Sequence, residues 1–207
     1  MVLGSGGHSA EMFAILGNID PSLYTRRSYV VSFGDDLSAR RAEEFEASLP
    51  EGQARTSESC VPSTYDISFI PRARAIHQSL LTTPPSALRC LAACFGVLHH
   101  PARSSDVDAG FRSDYPDLII TNGPGTAVCM IAASFIIRFF SPILPRDLQS
   151  GRASRGGMRT IYVESWARVK GLSLSGKLLV KVVDRFLVQW QGLQGVGGRG
   201  EYVGLLV

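Results

Sequence analysis

The residues best suited to chemistry in this chain form a glycine-rich cluster with a histidine near the amino terminus. Gly4, Ser5, Gly6, Gly7 and His8 follow a short apolar segment and precede a helical pattern. Glycines let the backbone approach a ligand closely, and the free N–H groups at a helix start favour a phosphate. Imidazole titrates near neutrality, so His8 is a candidate acid or base. The alternatives are a tight turn without a ligand and a His8 that only donates a hydrogen bond.

A second glycine loop, TNGPGT, also follows an apolar run and precedes a helical pattern. Pro124 fixes the turn, and a threonine stands at the helix start. In a doubly wound sheet the first and fourth strands are neighbours, and ligands bind at their carboxyl ends. We therefore expect both loops to face one crevice, although simple helix capping would also explain the second loop. Its candidate binding residues are Asn122, Gly123, Gly125 and Thr126.

Three charged residues are expected on the same edge of the sheet. Glu164 ends the fifth predicted strand, where its carboxylate can orient a sugar hydroxyl, act as a base or cap a neighbouring helix. Arg72 and Arg74 follow the third predicted strand. Arginine binds phosphates through paired hydrogen bonds, so both are candidate phosphate ligands, with solvated surface arginines as the alternative.

The sequence departs from three other site patterns. The dinucleotide fingerprint lacks its third glycine, because Ser9 stands there, and the first acidic residues after the second strand are Asp35 and Asp36. GLSLSGK is followed by Leu178 instead of the serine or threonine of a nucleotide-binding loop. Four cysteines without a CxxC pair and four histidines without ligand spacing argue against a zinc site. No DxD motif appears, and we predict no metal and no cofactor.

The elements that must position these residues alternate along the chain. Short β-branched runs are separated by helical patterns, which predicts an α/β fold with a doubly wound, Rossmann-like parallel sheet. The predicted strands are 1–3, 28–33, 67–70, 117–121, 160–164 and 185–189, and the predicted helices are 9–16, 37–48, 86–98, 126–140 and 172–183.

Composition is consistent with one medium domain. The chain has 207 residues, of which 45% are hydrophobic, and a net charge of only +3, so it predicts no nucleic-acid partner. Its apolar runs fall short of the ~18 residues of a spanning helix, and it opens without a secretory signal. We expect a single domain over 1–207, with flexible loops at 101–110, 141–159 and 191–200 and an apolar tail at 202–207.

Six segments together resemble one family across nearly the whole chain: GSGGHSAEM, IPRARAIHQS, TNGPGT, IYVESWARVKGLSLSGKLL, VDRFLVQW and YVGLLV. The chain resembles the membrane-recruiting subunit of the two-component N-acetylglucosaminyltransferase of asparagine-linked glycosylation in fungi. The resemblance implies the amino-terminal, acceptor-side half of a GT-B glycosyltransferase, whose UDP-N-acetylglucosamine half is a separate catalytic subunit. It implies transfer to N-acetylglucosaminyl-diphosphodolichol on the cytosolic face of the endoplasmic reticulum membrane, and an isolated chain without activity.

The resemblance also implies roles for residues. The loops at 4–8 and 122–125 would receive the diphosphate or proximal sugar of the lipid acceptor, and His8 or Glu164 would be the base. The partner-facing tail would be Tyr202, Val203, Gly204, Leu205, Leu206 and Val207, although packing onto the domain would also explain it.

Two further questions stay open at this level. The family usually has an amino-terminal hydrophobic anchor, whereas this sequence begins almost inside its first strand. Either the sequence is truncated, or an apolar helix such as that at 86–98 attaches the chain to the membrane surface. Two other functions compete with the transferase subunit: a non-catalytic membrane scaffold and a dinucleotide-binding oxidoreductase.

Overall fold

The computed structural model describes residues 1–20, 23–49, 64–74, 78–79, 82–99, 115–123, 125–140 and 157–206. Within these residues, helices and strands alternate close to the predicted positions. The helices are α1 (Gly7–Leu16), α2 (Asp36–Ser48), α3 (Thr83–His99), α4 (Thr126–Phe140) and α5 (Leu174–Leu179). The strands are β1 (Arg26–Ser32), β2 (Thr64–Ile70), β3 (Leu118–Asn122), β4 (Arg159–Val163), β5 (Arg185–Val188) and β6 (Gly200–Tyr202).

The described strands are all parallel, and the amino-terminal segment lies at the centre of the arrangement. β1 pairs with β2, and β3, β4, β5 and β6 follow one another in order. Val2 forms parallel bridges to Val30 of β1 and to Thr121 of β3, and so joins the two groups of strands. The predicted α/β class with a parallel sheet is confirmed, and the first predicted strand lies beside the fourth, as that fold requires.

Helices cover both faces of the sheet. Leu3 and Tyr29 pack with Met12 of α1 on one face, whereas Val2 packs with Cys90 of α3 on the other. A third cluster packs β4 and β5 against α4 and α5. Because successive strand residues point to opposite faces, the position of a residue along its strand decides which set of helices its side chain meets.

α3 carries one apolar face inward and a mixed face outward. Cys90, Cys94 and Leu98 are buried, whereas Leu88 is 65% exposed. Among the residues that the structure describes, no helix has both the length and the apolar character needed to cross a bilayer.

The segment 191–200 was predicted as a flexible loop, but the structure shows regular elements there. It contains two short 3-10 helices, Gln191–Leu193 and Val196–Gly198, and Gly200 begins β6. Leu193 is buried, and a Cβ on Gly200 would lie 2.8 Å from the Leu193 carbonyl oxygen. The glycines therefore permit a tight return from β5 to the neighbouring strand, which local composition does not distinguish from a loose loop.

The other two predicted loops fall mainly outside the described residues. This applies to all of 101–110 and to 141–156 of the loop at 141–159. The described end of that second segment leads directly into the sheet, because Arg159 is the first residue of β4.

Candidate functional site

The two glycine loops lie against each other at the carboxyl edge of the sheet. The Asn122 Nδ2 group donates to the His8 carbonyl oxygen at 2.7 Å. A Cβ on Gly4 would lie 2.7 Å from the His8 Cβ, and one on Gly123 would lie 3.2 Å from the His8 Cγ. Gly123 also has a φ of +104°, which side chains rarely adopt. The two loops are therefore neighbours, with His8 between them, and a shared ligand crevice stays a prediction.

The start of α1 leaves backbone donors available. Gly6 occupies the N-cap position with a φ of 65°, and no side chain caps the helix there. Ser5, Gly6 and Gly7 are exposed. The uncapped N–H groups and the positive end of a ten-residue helix together form an environment that suits an anion.

His8 presents only part of its ring to solvent. Its side chain is 34% exposed, but Nδ1 is buried and lies 3.7 Å from Glu11 Oε2, with no hydrogen-bond partner among the described residues. The buried Asn122 Oδ1 also has no such partner within that part of the chain. The accessible part of the imidazole is therefore the part away from Nδ1.

Glu11 lies beneath His8 and is a site residue that sequence reasoning missed. Its side chain is 1% exposed, and Oε1 accepts the Trp166 N–H and the Gln189 Nε2 group, each at 2.7 Å. Oε2 accepts the Asn122 Nδ2 group at 3.4 Å. Burial alone would raise the pKa of Glu11, but the neighbouring His8 and the donors from Trp166 and Gln189 outweigh burial and lower it.

Gln189 connects this network to the end of the described chain. Besides its bond to Glu11, Nε2 donates to the Glu164 carbonyl oxygen at 3.1 Å. Its Oε1 accepts the backbone N–H of Leu206 at 3.0 Å. Gln189 is 2% exposed, so this amide is a buried junction between the sheet edge and the tail.

Glu164 does not meet His8 through its carboxylate. It is 1% exposed, Oε2 accepts the Ser173 N–H and hydroxyl at 3.1 Å each, and Oε1 accepts the Ser165 N–H at 3.3 Å. A Cβ on Gly176 would collide with Oε2. Burial raises the pKa of Glu164 above its ordinary value. The carboxylate therefore supports the start of α5, on the opposite face of the sheet from α1.

Strand alternation explains this separation. Glu164 stands two residues after Tyr162, which packs with Leu179 of α5, and therefore points to the same side. Asn122 stands two residues after Ile120, which packs against the cluster of Met12 and α1. Asn122 ends β3 and Glu164 directly follows the neighbouring β4, but their side chains point to opposite faces.

The predicted arginines follow β2, which β1 separates from the amino-terminal segment. Arg72 Nε donates to the Phe33 carbonyl oxygen at 3.2 Å, and Arg74 donates to the Gln78 carbonyl oxygen through Nε and Nη2 at 3.1 and 2.8 Å. Ala73 between them adjoins the second loop, since a Cβ on Gly125 would lie 3.0 Å from the Ala73 Cβ. The segment 72–74 therefore borders the crevice, while both guanidinium groups make local backbone contacts.

Another cation lies closer to the first loop. Arg41 of α2 donates through Nη1 to the Gly6 carbonyl oxygen at 3.3 Å and to the Ser9 hydroxyl at 3.2 Å. Thr126, at the start of α4, has its hydroxyl 3.3 Å from that of Ser32 at the end of β1. Arg41 was not among the predicted site residues, because its position on a largely polar helix matches that of a solvated surface arginine.

The apolar tail is partly attached to the domain. Val203 N–H donates to the Val188 carbonyl oxygen at 3.1 Å, and Leu206 bonds to Gln189 as described. The side chains of Tyr202, Val203 and Leu205 are nevertheless exposed, and Gly204 has a φ of +78°. Val207 lies outside the described residues. The tail backbone is therefore held by the sheet while its apolar side chains face outward.

The acidic residue that a dinucleotide site would use has another task. Asp35 caps α2, because its carboxylate accepts the Ser38 N–H at 3.3 Å and the Ser38 hydroxyl at 2.8 Å. Both oxygens are thus engaged by the helix start, which disfavours a ribose contact.

Comparison with known proteins identifies the family. The sequence model of the family described as "oligosaccharide biosynthesis protein Alg14 like" matches residues 1–206. The chain belongs to this family. An Aspergillus fumigatus protein named UDP-N-acetylglucosamine transferase subunit alg14 is 45% identical over 95% of this chain and 100% of its own length. The Schizosaccharomyces pombe protein of that name is 36% identical over 98% of this chain and 80% of its own length.

The family extends beyond fungi. A Homo sapiens protein named UDP-N-acetylglucosamine transferase subunit ALG14 is 32% identical over the whole of this chain and 82% of its own length. No solved structure matches the chain. The resemblance inferred from the six sequence segments is confirmed by the family match, and the parallel α/β fold is that expected of half of a Rossmann-like glycosyltransferase.

Proposed function

We propose that this chain is the acceptor-binding subunit of an enzyme that adds the second N-acetylglucosamine to N-acetylglucosaminyl-diphosphodolichol. A separate catalytic subunit binds UDP-N-acetylglucosamine. Family membership and the transferase-subunit names of the relatives support the reaction class. The observation that carries the acceptor role is the seating of His8 between two glycine loops at the crevice edge.

The first loop binds the acceptor diphosphate. The uncapped N–H groups at the start of α1 supply directed donors, and the dipole of the helix favours negative charge. Arg41 adds a guanidinium beside Gly6. Arg72 and Arg74, which border the second loop through Ala73, extend the positive edge. Asn122, Gly123, Gly125 and Thr126 form the opposite wall, which receives the proximal sugar.

His8 acts as the base in transfer. The acceptor hydroxyl oxygen attacks the anomeric carbon of the donor sugar, the bond from that carbon to the UDP oxygen breaks, and UDP leaves. The hydroxyl proton moves to the accessible nitrogen of His8. Glu164 serves the fold instead, since its carboxylate already accepts three hydrogen bonds from Ser165 and Ser173.

The tail at 202–207 contacts the catalytic subunit. Exposed apolar side chains on a backbone that the sheet already holds present a preformed surface at a low entropic cost. The assembly works on the cytosolic face of the endoplasmic reticulum membrane, where the lipid-linked acceptor is presented. The outward face of α3 is the candidate for contact with that surface.

A matched pair of variants tests the acceptor role. Gly6→Ala and Gly6→Asp share the backbone strain of a positive φ, but only aspartate brings a negative charge to the phosphate site. Transfer of radiolabelled N-acetylglucosamine to a short-chain acceptor is measured for each subunit alone and for the complex. We expect product only from the complex, and at least about tenfold less with Gly6→Asp than with Gly6→Ala.

The contrary results are equally specific. Equal rates for the two variants in an assembled complex would mean that the loop does not touch the acceptor, and that the chain is a scaffold. Product from the catalytic subunit alone would exclude a role for this chain in acceptor binding.

A further inference from the structure

We propose that Glu11 and Gln189 are positioning residues that link the carboxyl-terminal tail to His8. This inference rests on the proposed role of His8 as the base. It assigns the buried side-chain path from Leu206 through Gln189 and Glu11 to the reacting histidine, and so connects the partner-facing segment with the chemistry.

The first link is that the two carboxylate oxygens of Glu11 have different partners. Oε1 is held from outside α1, by the Trp166 N–H and by Gln189 Nε2, at 2.7 Å each. Oε2 faces the other way, 3.4 Å from Asn122 Nδ2 and 3.7 Å from His8 Nδ1. The carboxylate is thus held by residues far along the chain and directs its second oxygen at the imidazole. It sets the orientation of the ring, as a carboxylate does for a histidine base in other enzymes.

The second link is the orientation of the Gln189 amide, which its surroundings determine. Nε2 faces two acceptors, Glu11 Oε1 and the Glu164 carbonyl oxygen, so the amide nitrogen must occupy that position. A flipped amide would set an oxygen against a carboxylate and a carbonyl. Oε1 must therefore point towards the tail, where it accepts the Leu206 N–H at 3.0 Å.

The consequence concerns the partner. Leu206 lies within the segment proposed to contact the catalytic subunit, and its neighbour Leu205 is 60% exposed. Seating of the partner on this segment holds the Leu206 N–H on Gln189, which in turn holds Glu11 and His8. The tail is therefore coupled to His8, and a change that displaces the Leu206 N–H is expected to reach the reacting histidine.

Isosteric variants test the path. Glu11→Gln keeps an oxygen for Trp166 and Gln189 but removes the acceptor that faces His8 and Asn122. Gln189→Met removes both ends of the amide. In the reconstituted complex we expect each to lower kcat about 10–100-fold, the usual cost of losing a residue that orients another, with the KM for the acceptor within about twofold.

Double variants separate positioning from structure. If Glu11 and Gln189 act through His8, their substitutions should have almost no effect on kcat in a His8→Ala background. Equal fold-losses in both backgrounds would overturn the inference. A His8→Ala complex with the wild-type rate would overturn the proposed function itself, so the two failures are distinguishable.

A backbone substitution tests the tail link independently and still applies if Gln189→Met fails to fold. Leu206→Pro removes the N–H donor, and Leu206→Ala keeps it while shortening the side chain. At saturating catalytic subunit, we expect Leu206→Pro to reproduce the kcat loss of Gln189→Met, and Leu206→Ala to stay within about threefold of wild type. Equal losses for the two Leu206 variants would show that the tail acts through its side chain alone, against the inference.

Discussion

Replacement of Glu164 by glutamine separates a structural carboxylate from a catalytic one. The glutamine amide oxygen can keep the two bonds from Ser173 that Oε2 accepts at 3.1 Å. Its NH2 group then faces the Ser165 N–H, which Oε1 accepts at 3.3 Å in the wild type. The variant therefore weakens two hydrogen bonds and removes a third, while the shape of the side chain stays the same.

The expected loss of stability follows from these three bonds. A bond to a charged acceptor contributes about 1.5–3 kcal/mol, and a neutral one about 1 kcal/mol, so two weakened bonds and one lost bond together cost about 2.5–7 kcal/mol. Removal of a buried charge offsets most of that cost. We expect the free energy of unfolding to fall by about 1–2 kcal/mol, which for a chain of this length lowers the Tm by about 2–8 °C.

The loss should also depend on pH. Burial raises the pKa of Glu164, so the folded state favours the neutral acid. The stabilising contribution of this acid is present in full below its unfolded pKa of about 4.3 and is lost as the pH rises through the higher folded value. Glutamine does not titrate, so Glu164→Gln should destabilise the protein more at about pH 4 than at about pH 7.5.

Urea unfolding at the two pH values and transfer by the complex form the assay. We expect Glu164→Gln to transfer within about threefold of wild type, whereas His8→Ala loses about 100-fold or more, as removal of a general base does. A Glu164→Gln variant that unfolds like wild type but loses as much transfer as His8→Ala would refute the reasoning and identify Glu164 as the base.

Three other perturbations have defined outcomes. Glu11→Ala leaves the Trp166 N–H without its partner and should cost about 2–4 kcal/mol in urea unfolding, against about 0.5 kcal/mol or less for the exposed Glu43→Ala; equal losses would contradict the network. The pKa of Asp184 is lowered to about 2, because hydrogen bonds from Arg138 and Thr160 outweigh the effect of burial. The Asp184 carboxylate should therefore stabilise the fold above its unfolded pKa, and this contribution should be lost as the pH falls through about 2. The gap in Tm between wild type and Asp184→Asn should therefore narrow on acidification, and a constant gap would argue against these bonds. Gly123→Ala, strained at φ +104° and 3.2 Å from the His8 ring, should reduce transfer at least about tenfold, while Gly192→Ala, with open space around it, should not.

Much of the fold was readable from local patterns. All five predicted helices and five of the six predicted strands correspond to described helices and strands, with helix ends off by at most four residues. The remaining predicted strand, 1–3, forms only the bridges of Val2 to Val30 and Thr121. The exception, 191–200, is instructive because its glycines build a return to β6 that depends on Leu193 and Val196 packing beneath it. Composition alone could not separate that tight turn from a loose linker.

The candidate site was only partly predictable. Glycine loops and His8 stand out because their residue types are unusual at a strand-to-helix turn. One feature of the sequence sets Glu11 apart: it is the single acidic residue in the mostly apolar helix GHSAEMFAIL and lies one turn after His8. The neighbouring sequence does not show which residues it contacts. Gln189 gave less, because a polar residue after a strand usually belongs to a turn.

The sequence by itself determined that strands and helices alternate, and hence that both glycine loops lie at the carboxyl edge of one parallel sheet. Hydrophobic period and helix starts are local properties, so they can be read along the chain. Tertiary structure alone decided which side chains meet there. Strand alternation turns Glu164 towards α5 and Asn122 towards α1, and sheet order brings Gln189 to Glu11 across 178 positions of sequence. Such contacts depend on register and facing direction summed over several elements, which no local window contains.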